Sequence, residues 1–393
     1  VIRSTFGFLP FFAIGTPLVH AFGAKFSLQG KRIWSPFNER TSLHCLHGEN
    51  GPFCGPALSI PPLPHDIVGK QQDTMCPNGR SHIMLDQIKG LHHVTSMASD
   101  ARQNNHFFTK TLGLRRVKKT VNFDAPDVYH LYYADEFGTP GSVMTYFPFP
   151  NIGKARRGVG EVGTTVFSVP EGSLGYWSKR LTDEGAAHVK PECLFGENRL
   201  HFDGPDGDSF ALVEAKGDER APWAKGGVPD DEAIRGFHSV SMRLRDAGRT
   251  RELLKHMGYQ EADTAGNVTR LAIPNGNGAD VVDIETLPGA GFADLGAGSV
   301  HHVAFAVEDR AKQLEVRKAL VDTGYEVTPV IDRDYFWSVY FRAPGGVLFE
   351  IATNEPGFDR DEDTAHLGEA LKLPKQHAHL RSYLEGHLQP LED

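Results

Sequence analysis

Cysteine is scarce in this chain: there are four in 393 residues, Cys45, Cys54, Cys76 and Cys193, and no C-x-x-C pair. That spacing offers neither a zinc ribbon nor a thioredoxin-like redox motif. Only Cys193 lies beyond residue 83, and one thiol cannot form a disulfide internal to that body, which fits a reducing, cytoplasmic setting. An apolar run of about 20 residues is also missing, so no membrane-spanning helix is expected. Excess positive charge is absent: the net charge is −9, leaving no basic field for nucleic acid or an anionic membrane. What is plentiful is histidine, 19 residues, the commonest side-chain metal ligand. With 40% hydrophobic and 23% charged residues, the chain is long enough for two domains with developed cores.

Residues 1–83 keep no steady period of 2 or 3.6 and are broken by Pro10, Pro17, Pro36, Pro52, Pro56 and the Pro61-Pro62-Leu63-Pro64 run. They read as an N-terminal extension that packs poorly or as a start-site artefact. A signal peptide is the rival reading, with Arg3, the apolar stretch Phe6 to Val19 and Ala21-Phe22-Gly23, but Pro10 and Pro17 interrupt it.

After Met84 the chain repeats itself. Module 1 opens with His92-His93-Val94-Thr95-Ser96-Met97-Ala98-Ser99-Asp100, module 3 with His238-Ser239-Val240-Ser241-Met242-Arg243-Leu244-Arg245-Asp246, and module 4 with His301-His302-Val303-Ala304-Phe305-Ala306-Val307-Glu308-Asp309. Module 2 is a weaker copy from Thr164 to Val169. Each opening reads as a strand followed by a helix that stops at Gly113, Gly185, Gly258 or Gly324, where glycine can take the left-handed cap. Glycines spaced by about 65–75 residues leave room for one helix and about four strands. Later strands show at Val128–Tyr133, Arg199–Phe202, Thr269–Ile273 and Trp337–Phe341. The expected fold is α+β, four βαβββ modules forming two paired domains, because one module exposes an apolar sheet face that another must cover. A polar stretch from Lys216 to Asp231 divides the copies: modules 1 and 2 in 84–217, a linker at 218–233, modules 3 and 4 in 234–358, and a C-terminal tail at 359–393. Which module faces which is open.

The repeat acts as its own control for metal ligands. Aligned on the acid that closes each opening, one position holds His93, Thr164, Ser239 and His302 in modules 1 to 4. His238 aligns instead with His92 and His301 and is not expected to be a ligand. In module 4 the strand alternation puts Val303, Phe305 and Val307 on one face, and His302 with the small Ala304 and Ala306 on the other. After the Ala343-Pro344-Gly345-Gly346 turn, Val347, Phe349 and Ile351 form an apolar face, and Glu350 stands opposite with Leu348 and Ala352. A carboxylate inside such a strand is costly unless paired or bound to metal. The matching strands after Pro140 and Pro205 are expected to offer Tyr146 and Ala211 there. Two histidines and one carboxylate form the facial triad of non-haem Fe(II) oxygenases.

These stretches, with Gly90-Leu91-His92-His93, Tyr129-His130-Leu131-Tyr132-Tyr133-Ala134-Asp135-Glu136, Gly138-Thr139-Pro140-Gly141, Gly236-Phe237-His238-Ser239 and Pro344-Gly345-Gly346-Val347-Leu348-Phe349-Glu350, resemble the vicinal-oxygen-chelate superfamily. Within it the resemblance is to hydroquinone-cleaving dioxygenases, from Met84 to about Leu388; the 83-residue extension departs from that group. The resemblance implies Fe(II), with Mn(II) as the alternative, on His93, His302 and Glu350. It implies pocket residues at His92, Thr95, His301, Arg333 and Tyr340, and an aromatic diol and O2 as substrates. Nucleic-acid and membrane partners are not expected; a homo-oligomer is compatible with the sequence. Two other readings are weighed. A glyoxalase-like isomerase typically uses four protein ligands with two carboxylates, and module 1 has no matching Glu. A metal-free binding protein of the same fold has no use for a buried His/His/Glu set.

Overall fold

The computed structural model describes residues 85–392; the extension 1–83, with its signal-peptide reading, lies outside them. Each module has the order βαβββ. The first contains β1 (Ile88–Ala98), α1 (Ala101–His106), β2 (Arg115–Val121), β3 (Tyr129–Ala134) and β4 (Val143–Pro148). The second contains β5 (Glu161–Val169), α2 (Leu174–Asp183), β6 (Ala187–Leu194), β7 (Glu197–Asp203) and β8 (Ser209–Glu214). The third contains β9 (Gly236–Leu244), α3 (Gly248–His256), β10 (Gln260–Ala265), β11 (Val268–Ala272) and β12 (Val281–Thr286). The fourth contains β13 (Val300–Val307), α4 (Arg310–Asp322), β14 (Ile331–Asp332), β15 (Phe336–Arg342) and β16 (Leu348–Pro356).

In the first and fourth modules the acid that closes the opening caps the helix. The Asp100 carboxylate accepts from the Gln103 amide and Asp309 from the Lys312 amide, each at 2.8 Å, satisfying backbone donors that have no partner inside the helix. The four helix-ending glycines all have positive φ, between 71° and 97°, a conformation that a Cβ would strain.

Chain order left the pairing of modules open, and the sheets resolve it. One eight-stranded sheet runs β14-β15-β16-β13-β1-β4-β3-β2, joining the first module to the fourth; the other runs β10-β11-β12-β9-β5-β8-β7-β6, joining the second to the third. Both sheets therefore form across the 218–233 stretch. The seams are antiparallel, with Thr95 opposite His302 in the first and Val166 opposite Ser239 in the second. The first sheet curls: the Tyr132 ring on β3 lies 6.5 Å from Phe336 on β15, although four strands stand between them in the sheet order.

One continuous core of helix and sheet residues includes Phe108, Trp177, Leu254, Phe305 and Phe349. A separate apolar cluster lies inside the first curl, with Val117, Tyr132, Ala304, Phe336, Phe358 and Leu367. Phe358 and Leu367 bring the start of the C-terminal segment onto this cluster. There the fully buried Lys118 ammonium meets the Asp361 carboxylate at 2.7 Å and also pairs with Glu362. Cys193 is disulfide-bonded. Among the described residues no helix is long and apolar enough to cross a membrane.

The two sheets also meet at a polar contact. Ser99 donates its amide to Asp206 at 3.0 Å, and the Tyr146 hydroxyl on β4 donates to Asp208 at 3.2 Å. Burial, reinforced by the neighbouring Asp206 charge, pushes the Asp208 carboxyl up to about 7. A carboxyl whose pKa rises on folding stabilises the protein fully at low pH and loses that contribution as pH climbs from its unfolded value through the folded one. Asp208→Asn should therefore raise Tm by an amount that grows from pH 4 to pH 7 and then levels, at most about 4 kcal/mol in stability. Thermal melts across that range check this; a Tm gain independent of pH would contradict it.

Candidate metal centre

Three neighbouring central strands of the first sheet carry the proposed ligands, His93 on β1, His302 on β13 and Glu350 on β16. Strand alternation directs them to one face, and all three are buried, Glu350 completely. Their donor atoms converge. His302 Nε2 lies 2.9 Å and His93 Nε2 3.2 Å from Glu350 Oε2, and the two imidazole nitrogens are 3.3 Å apart. The Ser338 hydroxyl donates to Glu350 Oε1, while Oε2 has no hydrogen-bond donor.

The hydrogen bonds behind His93 set its tautomer. His92 Nε2 lies 3.1 Å from the Thr353 carbonyl, which can only accept, so His92 carries its hydrogen on Nε2. Its Nδ1 lone pair then accepts from His93 Nδ1–H at 2.9 Å, which leaves the His93 lone pair on Nε2, facing Glu350. A matching bond of 2.8 Å joins His301 Nδ1 to His302 Nδ1.

Burial, followed by the neighbouring imidazole, brings both His92 and His301 down to about 3, so they stay neutral at working pH. Burial also lowers His302. Burial alone would push the Glu350 carboxyl up, yet positive charge at the positions of His93 and His302 outweighs it and holds it well below the usual carboxylate range, a charge that a bound cation would supply in their place. Two imidazole nitrogens and one carboxylate oxygen brought this close fit a divalent cation with open coordination positions. Among the described residues these three form a metal-ligand group, with donor atoms within 4.8 Å of one another.

The pocket residues adjoin this centre. Tyr340 stands edge-on to the His302 ring at 5.6 Å, and Arg333 donates to its hydroxyl at 3.3 Å. Arg333 also lies over Phe123 and forms part of the wall of a 330 Å³ cavity with Asp124, Asp334, Arg360 and Lys375. Thr95 shares a 2.9 Å hydrogen bond with Thr145. His238 stands apart on β9 in the second sheet, 3.5 Å from Glu197.

Register corrects one sequence expectation. Glu350 pairs with Ala304, and the corresponding pair in the first module is Thr95 with Thr145, so Thr145 rather than Tyr146 is the counterpart. In the third module the corresponding pair is Ser241 with Asp283. Asp283 thus repeats the carboxylate, but the Arg270 guanidinium grips it at 2.8 and 2.9 Å, so the positive charge there belongs to the chain. Sequence reasoning also missed Phe336, whose ring lies 4.9 Å from His93, and Ser338. Tyr340 came from the resemblance; the two-residue period of β15 puts Ser338 on the same face and carried a signal for it.

The model of the Glyoxalase/Bleomycin resistance protein/Dioxygenase superfamily matches residues 90–351. The chain belongs to this superfamily. Its relatives include "Putative ring-cleaving dioxygenase MhqO" of Bacillus subtilis, 39% identical over 79% of this chain and 98% of that protein. Another is the chlorohydroquinone/hydroquinone 1,2-dioxygenase of Sphingobium indicum, 35% identical over 74% of this chain and 93% of that protein. Among solved structures, a "putative dioxygenase" from Bacillus subtilis aligns with TM-score 0.75 at 38% identity, covering 78% of this chain and 98% of that one. Superfamily membership and the convergent donor set make one expectation concrete. His93→Ala, His302→Ala and Glu350→Gln should each lower bound divalent metal at least about tenfold after anaerobic reconstitution, as loss of a ligand does. His238→Ala should keep its metal; elemental analysis showing the reverse pattern would move the site elsewhere.

Proposed function

We propose that the protein is an Fe(II)-dependent ring-cleaving dioxygenase acting on hydroquinone-type aromatic diols with O2, and that His93, His302 and Glu350 hold the iron. The observation that carries this reading is the convergence of two imidazole Nε2 atoms on Oε2 of a fully buried carboxylate, in a chain whose relatives carry dioxygenase names. Bound iron would supply the electron transfer that makes dioxygen reactive toward an aromatic ring. Mn(II) suits the same donors and is the alternative ion. A glyoxalase-like isomerase would need a further carboxylate, and the first-module counterpart of Glu350 is the hydroxyl of Thr145. A metal-free binder would leave Glu350 buried without a cation.

Roles for the other residues follow from position. His92 and His301 orient the two ligand imidazoles. Arg333, more than half buried against Tyr340 and Phe123, offers positive charge to an anionic ring oxygen. The Tyr340 hydroxyl, raised by burial and the Glu350 charge, keeps its proton and can donate it in a hydrogen bond. Thr95 adds a hydroxyl beside His93. A para-diol reaches the iron through one oxygen, so the polar pocket must position the other; a catechol reaches it through both.

Oxygen uptake by iron-loaded protein, measured in parallel with hydroquinones, catechols and gentisate, should be fastest with a hydroquinone. Arg333→Ala should lower kcat/KM for that substrate by roughly one to three orders of magnitude. Faster turnover of catechol than of every hydroquinone would sink the substrate assignment while leaving the metal assignment standing.

A further inference from the structure

A line of buried hydrogen bonds crosses three strands of the first sheet. Thr95 Oγ1 on β1 lies 2.9 Å from Thr145 Oγ1 on β4, which lies 2.9 Å from His130 Nε2 on β3; His130 Nδ1 lies 2.8 Å from the Tyr132 hydroxyl. All four residues are buried, and the His130 ring packs against Tyr132 at 4.0 Å and Phe147 at 4.4 Å. One end of the line is at the candidate centre: Thr95 is two residues beyond His93 on the same strand face and directly opposite His302. The other end, Tyr132, faces Tyr335, Phe336 and Phe358 across the curl, within reach of the charges of Arg333 and Glu350.

Counting hydrogens shows what the line can do. Burial first, with the Arg333 charge adding to it, holds the His130 imidazole well below its ordinary value, so it is neutral, with one N–H and one lone pair. Two threonine hydroxyls, the tyrosine hydroxyl and one N–H supply four polar hydrogens for three hydrogen bonds, leaving one hydrogen over. If Tyr132 donates to Nδ1, then Nε2–H donates to Thr145, Thr145 donates to Thr95, and the spare hydrogen is on Thr95. Reversed, Thr95 donates inward and the spare hydrogen is on Tyr132. The two arrangements differ by the tautomer of His130 and interconvert when a proton enters at one end and another leaves at the opposite end.

We propose that Thr95, Thr145, His130 and Tyr132 form a proton relay serving the substrate hydroxyl that does not reach the metal, with His130 and Thr145 as its positioning residues. This rests on the dioxygenase reading above. As the ring gives electrons to dioxygen, the remote O–H bond breaks and its proton passes to the Tyr132 oxygen. Each link shifts one proton, and the Thr95 O–H bond breaks as an O–H bond forms on the reacting oxygen beside it. The relay gains no proton and no electron. A para-diol needs this link between two distant oxygens, whereas a catechol holds both at one place.

The test uses full-length, 15N-histidine-labelled protein loaded with Zn(II), with His130 assigned by its loss in His130→Asn. Spectra are recorded from pH 6 to 8, with and without anaerobic hydroquinone. His130 should remain neutral and change tautomer when hydroquinone binds. Tyr132→Phe should hold the Nε2–H form and Thr145→Val the Nδ1–H form, each regardless of hydroquinone. Hydroquinone binding with no tautomer change overturns the relay alone; failure of any diol to bind overturns the functional reading and the relay with it. In iron-loaded enzyme, both variants should lose at least about tenfold in kcat, with KM within about twofold and metal content unchanged. Retained kcat in either variant counts against the relay.

Discussion

Everything around the centre of the first sheet answers to one constraint, a carboxylate placed where water cannot reach it. Glu350 is fully buried, one oxygen is satisfied by Ser338, and the other faces the Nε2 atoms of two imidazoles. An unpaired ion in such a place costs several kcal/mol. Lone pairs facing one another stabilise nothing until a cation sits between them. The hydrogen bonds behind the ligands keep that arrangement in register: the Thr353 carbonyl fixes the His92 tautomer, which fixes that of His93. Phe336 then covers the His93 ring with apolar surface.

The second sheet meets the same constraint differently. Its repeat places Asp283 where the first sheet has Glu350, and Ser239 and Thr164 where the first has histidines. With no imidazoles available, Arg270 neutralises the carboxylate through two hydrogen bonds, and the nearby Glu197 accepts from Arg270 and Arg199. One architecture thus carries an open carboxylate in one half and a closed ion network in the other. The proposed metal site lies in the half built from the first and last modules, onto which the C-terminal segment packs through Lys118, Phe358 and Leu367.

Much of this was legible along the chain because it depends on local rules. The αL glycines that end the helices follow from backbone sterics, Asp100 and Asp309 from unsatisfied helix amides, and the facing of His302 and Glu350 from the two-residue period of a strand. Comparing copies then separated His93 and His302 from His238 without any coordinates. Where the copies had drifted, as between Thr145 and Tyr146, counting from a proline slipped by one residue, and in a strand one residue exchanges the two faces.

What the sequence by itself determined was the repeated module, its caps and the three residues able to hold a metal. Only the tertiary structure decided that the first module joins the fourth, because strand pairing across about 200 residues leaves no periodic trace in the chain. Only the curl of that sheet brought Tyr132 against Phe336 and Tyr335, and set His130, Thr145 and Thr95 in line. Those contacts join different strands, and hydrogen-bond geometry between strands is set by register and twist, which no single segment encodes.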